Sequence, residues 1–137
     1  MLMANVLKKS VAIATLSLLG SLSSVYALTF EPFTEAKFNT LKKSNSAFLI
    51  DVRADWCPTC KKQHEILKDY QTLNPNSGIT VLEVDFDKQK QWVKYFKAPR
   101  QSTFALYKGN KQIWFAVAET KSEAIFKQLD AVKVVSK

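Results

Sequence analysis

The chain has few of the residues that bind metals or interrupt secondary structure. It contains two cysteines and one histidine among 137 residues, whereas a structural zinc site needs four nitrogen or sulfur ligands. One chain therefore cannot build such a site, and we expect no cofactor. With three glycines and four prolines, each of these residues is informative as a boundary between elements. Internal repeats and low-complexity tracts are absent from the sequence.

Acidic residues are also in short supply, and the formal net charge is +8. The basic residues are spread along the chain, for example at Lys42-Lys43 and Lys61-Lys62, and no arginine cluster alternates with aromatic residues. This distribution argues against nucleic-acid binding. It favours a solvated basic surface, with attraction to acidic partners or to a membrane surface as the alternative.

The first 27 residues have the composition of a secretory signal peptide. Lys8 and Lys9 precede an apolar run from Val11 to Leu22, and Val25-Tyr26-Ala27 fits the small-x-small cleavage rule. The run is shorter than the ~20 residues that span a bilayer. We therefore predict a signal peptide over 1–27, a single domain over 28–137 and export to a bacterial periplasm or beyond. An uncleaved N-terminal anchor is the alternative.

Hydrophobic periodicity predicts strands that are joined by helices, which favours a mainly parallel sheet. Thr34 is a predicted helix cap, Gly109-Asn110 a hairpin turn, and Thr120 to Glu123 a capping box. A leading strand near Thr29 to Glu31 is weakly indicated. The predicted elements are a helix to about Lys43, a strand over Ala47–Val52, a helix from the cysteines to about Leu73, a strand over Ile79–Asp85, a short helix over Lys88–Phe96, strands over Thr103–Tyr107 and Gln112–Val117, and a last helix after Thr120.

The two cysteines stand two residues apart in Trp56-Cys57-Pro58-Thr59-Cys60. A disulfide that closes so short a loop adds little stability, so a purely structural role is a weak explanation. Residues three apart on a helix share one face, so the two sulfurs can bond. Cys57 in the first turn would be stabilised as a thiolate by free N–H groups and the helix dipole. A more shielded Cys60 would then resolve a mixed disulfide formed at Cys57.

These residues resemble the thioredoxin family. Residues 50–61, Ile-Asp-Val-Arg-Ala-Asp-Trp-Cys-Pro-Thr-Cys-Lys, resemble the family's strand, tryptophan, CxxC motif and helix start. Residues 81–85 are similar to its next strand and 103–110 to its hairpin, so the resemblance covers residues 33–132. It implies an α/β thioredoxin fold, with a central mixed sheet of four to five strands flanked by helices on both faces.

The resemblance also implies roles for residues near the cysteines. Asp51 would be a buried carboxyl that exchanges a proton with Cys60, because burial raises its pKa towards neutrality; the alternative is a carboxylate that caps or pairs within the core. Glu83 stands where many members have lysine. Pointing inward, it would raise the pKa of Asp51; pointing outward, it would be inert. His64 is interpreted as a helix-surface residue, and Trp56 as a residue beside the dithiol or, alternatively, in the core.

The chain departs from the family at the loop that faces the dithiol. Members have a cis-proline followed by threonine, and aligning Thr103 with that threonine puts Ser102 at the proline position. A cis bond before serine costs about 2.5–4 kcal/mol, so the bond is either trans or a strained cis bond. Ser102 could hydrogen-bond a Cys57 thiolate. The resemblance implies substrate contacts for Trp56, Pro58, Thr59, Gln101, Ser102 and Thr103.

Our leading hypothesis is an exported thiol–disulfide oxidoreductase, a monomer that reduces disulfides of envelope proteins through Cys57 and Cys60. The alternatives are a thiol oxidase or isomerase of secreted proteins, a non-catalytic binding module and, because the cis-proline is missing, a metal carrier. Strongly oxidising members tend to have histidine where Thr59 stands, which favours the reductant. A periplasmic reductant must be recharged, which implies a membrane electron carrier of the DsbD or CcdA type.

Overall fold

The computed structural model describes residues 26–135. The predicted signal peptide therefore lies almost entirely outside the described residues. Within 26–135, none of the helices has the length and apolar character needed to cross a membrane. The elements follow the order β1 (Thr29–Pro32), α1 (Glu35–Lys43), β2 (Ala47–Arg53), α2 (Pro58–Leu73), β3 (Thr80–Asp85), α3 (Lys90–Tyr95), β4 (Thr103–Lys108), β5 (Lys111–Val117) and α4 (Ser122–Val132).

The five strands form one mixed sheet in the order β1-β3-β2-β4-β5. β1, β3 and β2 are parallel, and the hairpin of β4 and β5 continues the sheet in antiparallel pairing. The predicted thioredoxin fold is therefore confirmed, including the weakly indicated first strand. The hairpin turn at Gly109 is confirmed as well, and its φ of +57° is a backbone conformation that suits glycine.

Alternation along the central strand β2 divides the core into two layers. Ala47 and Leu49 pack with apolar residues of α2 and α4 on one face, while Phe48 and Ile50 pack with those of α1 and α3 on the other. Helices therefore cover both faces of the sheet, as predicted. Since side chains alternate between faces, Asp51 projects from the same face as Leu49, towards α2.

The helix starts show which cap predictions hold. Thr34 caps α1 as predicted, because its hydroxyl accepts a hydrogen bond from the Lys37 amide. The predicted capping box from Thr120 to Glu123 is wrong. The last helix begins at Ser122 after Lys121, without a side-chain cap. The Glu119 carboxylate instead accepts the Lys121 amide, so a residue just outside the motif takes over the local hydrogen bonding.

Candidate active site

Cys57 occupies the N-cap of α2, where strand β2 has ended and the helix begins. Its backbone is extended, Pro58 stands at the first helical position, and its Sγ accepts a hydrogen bond from the Cys60 amide at 3.1 Å. The sulfur therefore takes the place of the oxygen that usually caps a helix. Since free amides and the positive end of the dipole favour an anion at this position, the site stabilises a thiolate.

The two thiols are both buried, with 3% of Cys57 and 1% of Cys60 exposed. The exposed fractions of the two thiols therefore differ little, and the asymmetry lies in the opposite shifts of their pKa values. Burial raises the pKa of Cys57, but hydrogen bonds from Cys60, Ser102 and Gln101 outweigh it and hold this pKa below the ordinary value. Burial and the hydrogen bond with Cys57 raise the pKa of Cys60. This difference suits Cys57 to the role of nucleophile and Cys60 to the role of protonated partner.

Ser102 contacts both sulfurs from the loop that faces the dithiol. Its hydroxyl lies 3.1 Å from Sγ of Cys57 and 3.2 Å from Sγ of Cys60. Within residues 26–135 there is no cis peptide bond, and Ser102 has a φ of +65°. Of the two alternatives for this bond, the structure has the trans form. The left-handed backbone conformation, which is uncommon and costly for serine, brings the hydroxyl to the sulfurs.

Three backbone contacts hold Ser102 in this conformation. Its amide donates to the Val52 carbonyl at 2.8 Å, and its carbonyl accepts the Ala118 amide at 2.8 Å. Gln63 of α2 is fully buried, and its side-chain amide donates to the carbonyls of Ser102, at 3.2 Å, and Glu119, at 3.0 Å. Gln63 therefore ties the loop to the active-site helix. This role of Gln63 was not predicted from the sequence, since its partners lie 39 and 56 residues away.

Replacing Ser102 by alanine should raise the pKa of the Cys57 thiol. A hydrogen bond to a charged group contributes about 1.5–3 kcal/mol, which corresponds to a rise of about one to two pKa units. The pH dependence of Cys57 alkylation by iodoacetamide measures this shift. Ser77→Ala is the matched control, because Ser77 is equally buried and its hydroxyl has no hydrogen-bond partner. An unchanged alkylation profile in Ser102→Ala would show that the hydroxyl does not stabilise the thiolate.

Asp51 is a buried carboxyl on β2, below the helix that carries the cysteines. It is 1% exposed, and neither carboxylate oxygen has a hydrogen-bond partner. Burial raises its pKa to about 7, the charge of Glu83 adds to this rise, Arg53 opposes it, and Cys57 adds a smaller contribution. A carboxyl that changes protonation near neutral pH is suited to accept and return a thiol proton. The alternative in which Asp51 caps or pairs through hydrogen bonds does not fit this geometry.

Glu83 and His64 also belong to this polar region. Glu83 is the register partner of Asp51 on the adjacent strand β3 and projects from the same face of the sheet, so it points inward. His64 Nδ1 lies 3.7 Å from Glu83 Oε1, and its ring packs on Phe30 with 4.6 Å between ring centroids. Burial lowers the pKa of His64. His64 is therefore half-buried and faces Glu83, unlike the plain surface residue that the sequence suggested.

The residues predicted to contact substrate surround the dithiol at different depths. Trp56 is 60% exposed, and its indole N–H donates to Asp87 at 2.8 Å, so it is a surface aromatic beside the thiols and not a core residue. Pro58 is exposed, and Thr59 and Gln101 are half-buried. Thr103 is buried, and its hydroxyl donates to the Arg100 carbonyl at 2.7 Å. Thr103 therefore braces the loop, while the others border the surface above Cys57.

A stabilised thiolate, a shielded second thiol and a buried carboxyl together define the class of dithiol redox proteins. The comparisons with known proteins agree with this class. The protein-family model for thioredoxin matches residues 29–131. Thioredoxin of Mycobacterium bovis is 27% identical over 100 residues, which cover 72% of this chain and 85% of that protein.

Solved structures give the same family. Trxlp from Edwardsiella tarda EIB202 is 30% identical and superposes with a TM-score of 0.65, covering 79% of this chain and 100% of that chain. Mitochondrial thioredoxin 3 from Saccharomyces cerevisiae, in its oxidized form, has a TM-score of 0.64 at 23% identity, covering 74% and 94% of the two chains; at this identity the likeness concerns the fold. The chain belongs to the thioredoxin family.

Proposed function

We propose that this protein is an exported thiol–disulfide oxidoreductase that reduces disulfides of envelope proteins through Cys57 and Cys60. The observation that carries the proposal is the opposed tuning of the two thiols. Hydrogen bonds lower the pKa of Cys57, whereas burial and its bond with Cys57 raise that of Cys60. A thiol that ionises more readily than an ordinary cysteine therefore stands beside a thiol that holds its proton more tightly.

The reaction follows from this arrangement. The Cys57 thiolate attacks one sulfur of a substrate disulfide, forms a mixed disulfide and releases the other sulfur as a thiolate. Cys60 then gives its proton to Asp51 and attacks the Cys57 sulfur, which releases the second substrate thiolate. Both substrate sulfurs are reduced and take up protons, while Cys57 and Cys60 are oxidised to a disulfide.

The direction of electron flow is the second part of the proposal. Thr59 between the cysteines supports a reductant, because strongly oxidising relatives tend to have histidine at that position. One observation favours oxidation or isomerisation of thiols: Ser102 contacts both sulfurs, and hydrogen bonds to a thiolate stabilise the reduced form. Equilibration with glutathione separates the two. We expect a reduction potential near that of thioredoxin, about −270 mV, and a value near −120 mV, as in DsbA, would establish an oxidant instead.

Export and recharging complete the proposal. Lys8, Lys9 and the apolar run to Leu22 support a signal peptide over 1–27, and a reductant outside the cytoplasm needs a membrane electron carrier of the DsbD or CcdA class. Cell fractionation with thiol trapping tests both points. We expect the mature protein in the envelope fraction with Cys57 and Cys60 reduced. A full-length cytoplasmic protein would refute export, and an envelope protein that is oxidised at steady state would refute the reductant.

A further inference from the structure

Buried polar atoms without partners are concentrated beside the active site. Seven buried side-chain nitrogen or oxygen atoms in residues 26–135 have no hydrogen-bond partner, and five of them belong to Asp51, Arg53, His64 and Glu83. Buried polar groups are nearly always satisfied, so each exception calls for an explanation such as a catalytic role. Four such residues in one polar region, Asp51 among them, indicate a common role.

Glu83 stands between the buried Asp51 carboxyl and solvent. The two residues pair in register on adjacent strands and face the same side. Asp51 is 1% exposed, whereas the Glu83 side chain is 21% exposed. Glu83 also lines a cavity of about 330 Å³ together with Arg53 and Asp55, which is large enough to hold water. Asp51 can therefore reach solvent through its neighbour more easily than directly.

Two nitrogen atoms hold the Glu83 carboxylate in this position. Arg53 Nη1 lies 3.6 Å and His64 Nδ1 3.7 Å from the same oxygen, Oε1. Both distances exceed those of direct hydrogen bonds. The Arg53 charge therefore attracts the oxygen without a direct bond, and the oxygen stays free to exchange a proton through water. Packing of His64 on Phe30 fixes its ring against the carboxylate.

We propose that Glu83 carries the proton between Asp51 and the water of the adjacent cavity, and that His64 and Arg53 are its positioning residues. The need for this transfer rests on the proposed function. Each time Cys60 is deprotonated, Asp51 gains one proton, and it must lose that proton before the next turnover. Asp51 passes it through water to the Glu83 carboxylate, and Glu83 releases it to solvent, where the departing substrate thiolates are protonated.

The charged groups around this route are compatible with such exchange. Burial raises the pKa of Asp51 to about 7, and the charge of Glu83 adds to this rise. Arg53 lowers the same pKa, and Cys57 raises it slightly. Burial lowers the pKa of His64, and the charge of Glu83 opposes this effect. Its remaining neighbours are Arg53, Lys68 and Glu65.

The test compares Glu83→Gln with the matched control Asp55→Asn. Glutamine keeps the shape of Glu83 but cannot take up a proton. Asp55 lines the same cavity and contacts the same Arg53 nitrogen at 3.6 Å, yet its side chain is 99% exposed. Carboxyl carbon NMR of Asp51 measures its proton exchange without any substrate, and insulin reduction measures turnover. Glu83→Asp, which keeps a carboxylate, guards against a trivial effect of the substitution on folding.

In Glu83→Gln we expect the rate of proton exchange at Asp51 and the rate of insulin reduction to fall by about tenfold. This loss is smaller than the ~10²-fold or more expected when a direct acid–base group is removed. Acetate in the buffer should restore much of the rate, since a diffusible acid replaces the lost carrier, and Glu83→Asp should retain most of it. Three results would overturn the proposal. Proton exchange in Glu83→Gln could be as fast as in wild type, Asp55→Asn could slow exchange equally, or acetate could fail to restore the rate of Glu83→Gln. If the exchange slows as expected while the wild-type protein fails to reduce insulin, the proton route stands and the proposed function fails.

Discussion

The Cys57→Ser variant is expected to reduce insulin no faster than buffer alone, the largest loss of activity that any single substitution should cause here. The proposed reaction starts with attack by a sulfur anion, and a serine hydroxyl does not ionise near neutral pH. Cys60 cannot take over, because burial raises its pKa and so disfavours its thiolate. The turbidity assay for insulin reduction, with dithiothreitol as the electron source, measures this loss.

Cys60→Ser should fail differently, and the two variants are matched controls for each other. It keeps the nucleophile, so the first attack proceeds, but no second thiol releases the substrate. A mixed disulfide at Cys57 should accumulate, and mass spectrometry of the trapped complexes from the cell envelope would identify the natural substrates. Serine at position 57 still offers an oxygen to the Cys60 amide, as a good N-cap does, so both variants should fold.

Two results would contradict this assignment. Substrate trapped by Cys57→Ser, but not by Cys60→Ser, would reverse the roles of the cysteines. A wild-type protein that is folded, fully reduced and inactive towards insulin would favour the binding-module alternative, in which the fold serves as a docking surface. Circular dichroism separates these results from a folding failure, because wild type, Cys57→Ser and Cys60→Ser should all have equal helix content.

Local sequence patterns were sufficient to predict most of the fold. The apolar run of β2 and the helical spacing in α2 are encoded within single segments, and proline and glycine mark their ends. The position of Cys57 at the start of α2 follows from such local signals too. The predicted capping box does not form: the helix starts one residue later, after Lys121, and the Glu119 carboxylate accepts the Lys121 amide.

Contacts between distant segments explain what could not be predicted. The Ser102 hydroxyl lies close to sulfurs 45 and 42 residues away. Only the folded loop shows that Ser102 has a positive φ at the position of the family's cis-proline. Gln63 and Arg53 acquire their roles in the same way, from neighbours on other elements. The prediction for Glu83 depended on which face of β3 it occupies, and the register with Asp51 answered that question.

Asp51→Asn should stabilise the folded protein at pH 8 and at the same time lower its rate of insulin reduction. The native pKa of Asp51 is raised from 3.8 to about 7, first by burial and then by Glu83. The unfolded chain loses the Asp51 proton near pH 4, whereas the folded protein retains it until about pH 7. The stability contributed by the protonated carboxyl is therefore complete below about pH 4 and is lost as the pH rises to about 7. A difference of roughly three pKa units corresponds to about 4 kcal/mol.

The free energy of unfolding in urea, measured at pH 4, 6 and 8 with the dithiol kept reduced, tests this expectation. Wild type and Asp51→Asn should have similar stability at pH 4, and the variant should be more stable by up to about 4 kcal/mol at pH 8. Asp69→Asn, an exposed substitution on α2, is the matched control and should change stability by no more than about 0.5 kcal/mol.

The same substitution should reduce insulin turnover by about 10²-fold or more, because asparagine cannot accept the Cys60 proton. A gain of stability together with a loss of activity is the expected result for a buried carboxyl that serves catalysis. Substituting a residue that only packs the core would lower both stability and activity. An Asp51→Asn variant that is less stable than wild type at pH 8, or equally active, would exclude this role. The unpartnered carboxylate below α2 would then need another explanation, and so would the placement of Glu83 beside it.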